Sequence, residues 1–362
     1  MMTMSNIKKE VLSTYIMMGD TKSKELETYH LILAANYSCN LSCPHCYLPN
    51  HSNVVLPLYR ILTLIDEWSE IVEYTKGQFG GIFHLKGGEP LMLPYFHNVI
   101  EKLAEVKILQ FMMTTNGTFY NSRTVEELSN LNEKLHGNVT INVSLDGSTE
   151  EVNSILRQPG NFKKTTTFAR LISESGINLF FNYVIHRHNL DDIQDFLEFA
   201  LELGATQVNF LSFVPKGYGA KLADYRPNPI DVFNRIQGIW LNGDKKIKEM
   251  LAGSLNDIID RVACEKCTAI ECVGGYKGLF YIEPNGNVYS CPNLNFPHLK
   301  IGNILESSCA KLMSLLTRKV YKKIRTFPGK IDDSFLCKGE KFLPNSTDFL
   351  NNKFEILQKE LG

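Results

Sequence analysis

Tyr29-His30-Leu31-Ile32-Leu33-Ala34-Ala35, followed closely by Cys39-Asn40-Leu41-Ser42-Cys43-Pro44-His45-Cys46-Tyr47, decides how the rest of this chain is read. The first run is apolar and reads as a strand. The second places three cysteines in the pattern C-x3-C-x2-C. A tight loop after a strand brings three such sulfurs to one side. A four-iron cluster normally takes four thiolates, so a three-cysteine loop leaves one iron open to a small molecule. Zinc is the competing reading, with His45 or His51 completing a Cys3His set.

The totals narrow the choice. The chain has 362 residues and a formal charge of −1, long enough for a barrel plus an appended module. Near-neutral charge gives no argument for nucleic acid or an anionic membrane surface as partner. No apolar run reaches the ~20 residues of a membrane span. Met1 to Glu10 lacks the apolar core of a signal peptide, so the expected location is cytoplasmic, where thiols stay reduced. The nine cysteines therefore point to metal ligation rather than disulfides. They fall in two camps. Cys39, Cys43 and Cys46 lie near the start, and Cys264, Cys267, Cys272, Cys291, Cys309 and Cys337 in the last third.

Between the camps strands and helices alternate about six times. Leu58 to Tyr74 carries apolar residues at helical spacing. Gly81 to Leu85 reads as a strand, Pro94 to Val106 as a helix, Lys107 to Thr114 as a strand and Ser122 to Leu135 as a helix. Val139 to Leu145, Ile177 to Ile185 and Gln207 to Phe213 read as strands, with helices at Asn161 to Ser175 and 191 to 203. Such alternation implies a parallel sheet covered by helices. The expected fold is α/β, a partial (β/α)6 TIM-like barrel followed by a small α+β module of a β-hairpin plus helices. The expected divisions are a lead-in over 1–28, the barrel over 29–226, a linker helix over 227–255, the second cysteine module over 256–340 and a C-terminal helix over 341–362. The special residues cluster at the strand C-termini, the rim where parallel barrels build active sites.

Taken with those rim motifs, the cysteine loop resembles that of the radical S-adenosylmethionine (SAM) enzymes, over about residues 29 to 216. The resemblance implies that Cys39, Cys43 and Cys46 hold a [4Fe–4S] cluster and that SAM chelates its open iron. It implies reductive cleavage of SAM to methionine and a 5'-deoxyadenosyl radical that abstracts hydrogen from the substrate. His45 stands where the family usually has an aromatic residue against the adenine. Gly87-Gly88-Glu89-Pro90 matches the family's Gly-Gly-Glu-Pro motif, whose carboxylate holds the methionine ammonium. Asn116 sits at the next strand end, Ser144 is implied to contact the SAM ribose, and Arg157 the SAM carboxylate. Leu211 to Pro215 is implied to pack below the adenine. Asp146 is read either as a site residue or as part of an Asp-Gly turn. His186 and His188, just past a strand end, are left unassigned, surface histidines being common there.

The second camp contains Cys272-x13-Gly286-x4-Cys291. Leu279 to Ile282, Pro284-Asn285-Gly286 and Val288 to Cys291 read as a hairpin. A helix is expected to begin at Ile301-Gly302-Asn303-Ile304 and to run to Arg325. This half resembles the SPASM/Twitch auxiliary-cluster domains. The resemblance implies one auxiliary [4Fe–4S] cluster on Cys267, Cys272, Cys291 and Cys337, with Cys264 or Cys309 as alternative ligands; a structural zinc knuckle is the competing reading. Relatives of this kind mature ribosomally made peptides, and the resemblance implies a small precursor peptide as partner, with a reductant such as flavodoxin or ferredoxin and a separate leader-binding protein. The expected reaction is an intramolecular C–C or C–S cross-link. Formylglycine formation is disfavoured because Pro292 and Asn293, rather than an aspartate, follow Cys291. A peptide epimerase, in which Cys309 would be the hydrogen donor if it faced the barrel mouth, and a dehydrogenase of a small metabolite are the alternatives. A non-catalytic Fe–S or zinc scaffold is the remaining class. No catalytic residue beyond these is assigned.

Overall fold

The computed structural model describes residues 29–48, 51–74, 81–251, 279–292, 295 and 297–315. Six parallel strands lie in sequential order: β1 (Tyr29–Ala34), β2 (Gly81–Lys86), β3 (Gln110–Thr115), β4 (Val139–Ser144), β5 (Asn178–Ile185) and β6 (Gln207–Ser212). Between them run α1 (Leu58–Tyr74), α2 (Phe96–Glu105), α3 (Ser122–Lys134), the short α4 (Glu150–Asn153), α5 (Phe162–Glu174) and α6 (Ile193–Glu202). The expected α/β partial barrel is what the chain forms.

Period-two alternation sorts each strand into two faces. Leu31, Leu33, Phe83, Leu85, Phe111, Met113, Phe181 and Phe210 are fully or almost fully buried. They pack against Ile61, Leu64, Ile65 and Trp68 of α1, Val99 and Leu103 of α2, and Phe168 and Ile172 of α5. The opposite, inner face is polar. His30 Nε2 lies 3.1 Å from His84 Nδ1, and His84 Nε2 lies 2.8 Å from Thr114 Oγ1. Asn209 Nδ2 donates to Asn142 and Asn182 at 3.1 and 3.0 Å. Apart from Ile32 and Ala34, which pack with Tyr281 and Tyr289 at the β1 end, this network is not a packed core. It is a lining.

The second module joins the same sheet. β7 (Leu279–Ile282) pairs in parallel with β1, and β8 (Asn287–Tyr289) and β9 (Gly302–Asn303) follow antiparallel, giving the order β6-β5-β4-β3-β2-β1-β7-β8-β9. The hairpin thus covers the edge of β1 that would otherwise lie unpaired. Two expectations are corrected here. Gly302 and Asn303 form a strand rather than the start of a helix, because the Asn303 side chain is tied to the hairpin: its Nδ2 donates to Asn285 O at 3.1 Å and its Oδ1 accepts from Leu305 N at 2.8 Å. The helix begins later, as α8 (Cys309–Leu315). The linker helix after Pro227 is also interrupted. It runs as α7 (Pro229–Asn242), breaks at Gly243 and resumes over 245–251. The expected lead-in, the C-terminal helix, and Cys264, Cys267, Cys272 and Cys337 lie outside the described residues.

Candidate active site

β1 ends at Ala34, and the chain turns outward through Asn36 into the cysteine loop before returning at Val55, which bridges Asn36. Cys39, Cys43 and Cys46 are all half-buried free thiols, and Cys46 N donates to Cys43 O at 3.1 Å to tighten the turn. Burial pushes the Cys39 thiol up to about 11, and Leu41 N donates to its sulfur at 3.4 Å. Burial raises Cys46 as well. Such thiols become thiolates when a metal centre binds them.

The donor set discriminates between metals. Cys43 and Cys46 stand close enough to Cys39 to act on it electrostatically. Zinc pulls its sulfurs together with bonds of about 2.3 Å. A four-iron cluster seats each thiolate on a different iron and needs a wider triangle. Of the two imidazoles read as candidates for zinc, His51 packs tilted against Tyr218, and His45 is hydrogen-bonded elsewhere. His45 Nδ1 donates to Leu156 O at 2.6 Å, and Nε2 lies 3.7 Å from Asp146 Oδ2. Burial lowers the His45 pKa, and Nδ1 carries a proton, since a carbonyl only accepts. Three thiols on one loop, with one position left open, fit the four-iron cluster.

The Gly-Gly-Glu-Pro turn is stitched to this loop. Gly88 N donates to Asn36 O at 2.7 Å and Glu89 N to Ser38 O at 2.8 Å; Asn36 Nδ2 donates to Glu89 O at 2.9 Å. A Cβ at Gly88 would lie 2.2 Å from Ser38 O, which is why glycine stands there. Glu89 is fully buried. Its Oε1 accepts from Leu91 N at 3.0 Å and Thr115 Oγ1 at 2.6 Å, and its Oε2 from Asn116 N at 2.8 Å. A carboxylate offers about four acceptor positions, so room for one more donor remains. Burial raises its pKa to about 7, against these bonds. Asn116 reaches further still: Nδ2 donates to Asn40 Oδ1 at 3.0 Å and approaches Cys39 Sγ at 3.8 Å.

Beyond β4 the site is organised by a buried ion pair. Arg157 Nε lies 2.7 Å from Asp146 Oδ2, with Asp146 wholly and Arg157 almost wholly buried. Asp146 Oδ1 also accepts from Val184 N at 2.8 Å. Asp146 is therefore an anchor and not merely part of a turn. Arg157 acts electrostatically on Cys43, Cys46 and Glu89. Ser144 closes β4, half-buried on the inner face beside Asn182. Past β6, Leu211 to Pro215 leads to Gly217, whose φ of 60° and close approach to Tyr47 O and Leu48 O exclude a side chain. Gly219 N then donates to Cys46 O at 3.3 Å, clasping the cysteine loop from the far side.

One histidine differs from its sequence reading. His186 is fully buried rather than on the surface, stacked beside Tyr225 and near Asp146 and His45, with burial lowering its pKa to about 4. His188 is exposed, as read, and packs edge-on to the same Tyr225. Cys309 does not face the barrel mouth. It sits in the main core, its N–H donating to Glu67 Oε2 of α1 at 2.9 Å, with burial pushing its thiol well up. Cys291 is buried at the end of the hairpin among Ile32, Ala34, Tyr281 and Tyr289. Asn36, Asn40 and Thr118, all bonded into the site, were missed because polar loop residues read as solvated.

Comparison with known proteins agrees with this geometry. Residues 36–200 match the radical SAM superfamily, and residues 272–339 match the SPASM iron–sulfur cluster-binding domain. The chain is 26% identical over 304 residues to the AdoMet-dependent heme synthase of Methanosarcina barkeri, covering 79% of this chain and 82% of that protein. It is 24% identical over 274 residues to the mycofactocin maturase MftC of Mycobacterium ulcerans, covering 74% and 69%. Its fold is shared with Streptococcus suis SuiB bound to the precursor peptide SuiA, at a TM-score of 0.64 and 17% identity, covering 95% and 76%. Among the described residues no helix is long and apolar enough to cross a membrane. The cofactors that go with these two domains are SAM, a [4Fe–4S] cluster at the SAM site and an auxiliary [4Fe–4S] cluster. A three-thiol loop locked to a buried Gly-Gly-Glu turn, at the rim of a six-stranded parallel sheet, gives this chain a radical SAM domain, followed by a SPASM-type iron–sulfur domain.

Proposed function

We propose that this protein is a peptide maturase that joins two positions of a small ribosomally made precursor by a C–C or C–S bond. When bound, the cluster and SAM supply methionine and a 5'-deoxyadenosyl radical able to take hydrogen from an unactivated carbon. The chain's own residues do the rest. Cys39, Cys43 and Cys46 would hold the cluster, and the spare acceptor position of Glu89 would receive the methionine ammonium. Arg157, fixed by Asp146, would face the SAM carboxylate, with Ser144 at the ribose and His45 as a flat wall toward the adenine. Cys291 would be one ligand of the auxiliary cluster, with Cys267, Cys272 and Cys337 completing the set.

The observation that carries a peptide substrate is the inner face of the sheet. Asn142, Asn182 and Asn209 form an amide network there, beside His30, His84 and Thr114. Side-chain amides donate and accept like a peptide backbone, so this lining complements an extended chain. Epimerisation loses its proposed donor with Cys309 in the core. A metabolite substrate is the second reading, favoured by the likeness to a heme synthase over most of the chain. Co-expression with short open reading frames neighbouring this gene tests the choice: a peptide that loses two mass units supports the cross-link. A small acid oxidised by the purified protein, with every neighbouring peptide unchanged, supports the metabolite.

A further inference from the structure

Lys86 is the last residue of β2, directly before the Gly-Gly-Glu turn, and it points a charge at the inner face. Its Nζ stands 5.1 Å from the centre of the Tyr47 ring and 5.7 Å from that of Tyr281. It is half-buried, and among the described residues no carboxylate lies within ion-pair distance of it. Glu283, just past β7, is engaged elsewhere, accepting from Asn295 Nδ2 at 2.7 Å. Tyr281 is completely buried, and neither its hydroxyl nor that of Tyr47 makes a well-formed hydrogen bond to another described group. The two phenols meet each other in a loose side-chain hydrogen bond, and the charge of Glu283 acts on Tyr281. One ammonium and two phenols thus converge, with no carboxylate paired to the ammonium among the described residues. Buried donors left in this state cost free energy unless a ligand satisfies them.

We propose that Lys86, Tyr47 and Tyr281 form a carboxylate-binding pocket that fixes the substrate through an acidic group next to the reacting position. The charge balance favours a carboxylate over a phosphate, since a single ammonium matches a single negative charge. A lysine is a point charge rather than a fork, so one oxygen on Nζ and the other on a phenol is the natural seating. The position separates this pocket from the one meant for SAM. Cys46 is acted on electrostatically by both Arg157 and Lys86. Arg157 belongs to the β4 flank and is already paired with Asp146. Lys86 belongs to the β7 flank, on the side of the auxiliary module. The pocket therefore deepens the reading of the barrel interior as the substrate chamber and rests on it.

The test is ligand-observed NMR on the anaerobic, SAM-loaded holoprotein, with N-acetylglutamate amide, its isostere N-acetylglutamine amide, and glutarate as probes. The acid should bind at least fivefold tighter than the isosteric amide. The preference should vanish in Lys86→Met, persist in part in Lys86→Arg, and fall at least threefold in Tyr281→Phe, which removes only one oxygen. Equal binding of acid and amide, or a preference that survives Lys86→Met, would overturn the proposal. So would a tenfold loss of SAM affinity in Lys86→Met with no acid preference in the wild type, which would assign the pocket to the carboxylate of SAM. Glutarate bound better than the glutamyl probe would keep the pocket and point to a free diacid rather than a peptide. Because no turnover is needed, this readout can succeed while the peptide-maturase reading fails, and the reverse.

Discussion

The two flanks of the cysteine loop are built on opposite principles. Toward β3, β4 and β5 every buried charge is engaged: Glu89 accepts three hydrogen bonds, and Asp146 holds Arg157. Toward β7 the Lys86 ammonium stands by two phenol rings with no carboxylate in ion-pair contact, the nearby Glu283 being held by Asn295. The first arrangement suits a partner that never changes, because fixed donors and charges need no reorganisation when it binds. The second is incomplete until something arrives. The difference teaches where to look for each partner: SAM on the satisfied flank, substrate on the unsatisfied one.

The largest expected effect on this contrast comes from breaking the satisfied flank. Asp146→Asn leaves Arg157 buried without its counter-charge, and such losses cost about 3–5 kcal/mol. Urea unfolding should show it, and the double variant Asp146→Asn/Arg157→Leu should recover most of the loss. Full stability in the single variant would mean that the pair is solvated and not an anchor.

Glu89 gives the next effect. Its pKa, raised to about 7 by burial, means that the charged form able to receive an ammonium grows as pH rises through 7. SAM affinity of the oxidised holoprotein should therefore improve about tenfold between pH 6 and pH 8, as one protonation equilibrium dictates. Equilibrium dialysis in Glu89→Gln should give a flat profile. A wild-type profile that is already flat removes Glu89 from SAM recognition.

The two cysteines of the second module should separate cleanly. Cys291→Ala should lower iron from about eight to about four per chain, the content of two four-iron clusters against one. Cys309→Ala should leave iron unchanged and cost about 1 kcal/mol or little more, the scale of one small buried group. Iron loss in Cys309→Ala would contradict its place in the core. The smallest effect belongs to His45→Phe. It keeps a flat wall and loses one hydrogen bond to Leu156 O, worth about 1 kcal/mol. SAM cleavage should change by less than about threefold, within what such a loss costs.

Much of this was legible because period and punctuation agreed. Leu58 to Tyr74 forms the helix its spacing requires, and each strand-end motif lies at the rim. What escaped has a common cause. A strand's sequence does not name its partner, so the pairing of β7 with β1, across almost the whole barrel in sequence, was invisible. Burial imposed by a distant segment was equally hidden. His186 is covered by Tyr225 at the end of a turn that follows β6, and Cys309 by α1. Asn36 and Asn40 look like ordinary loop residues until their bonds to Glu89 O and Thr118 Oγ1 are seen.

The central claim is that the loop opened by Cys39 is a SAM-cleaving centre. Anaerobic protein reconstituted with iron and sulfide, then given SAM and dithionite, tests it directly by quantifying 5'-deoxyadenosine and methionine. The account predicts equal amounts of both from the wild type and none from Cys43→Ala. No 5'-deoxyadenosine from the wild type, or undiminished product from Cys43→Ala, would contradict it.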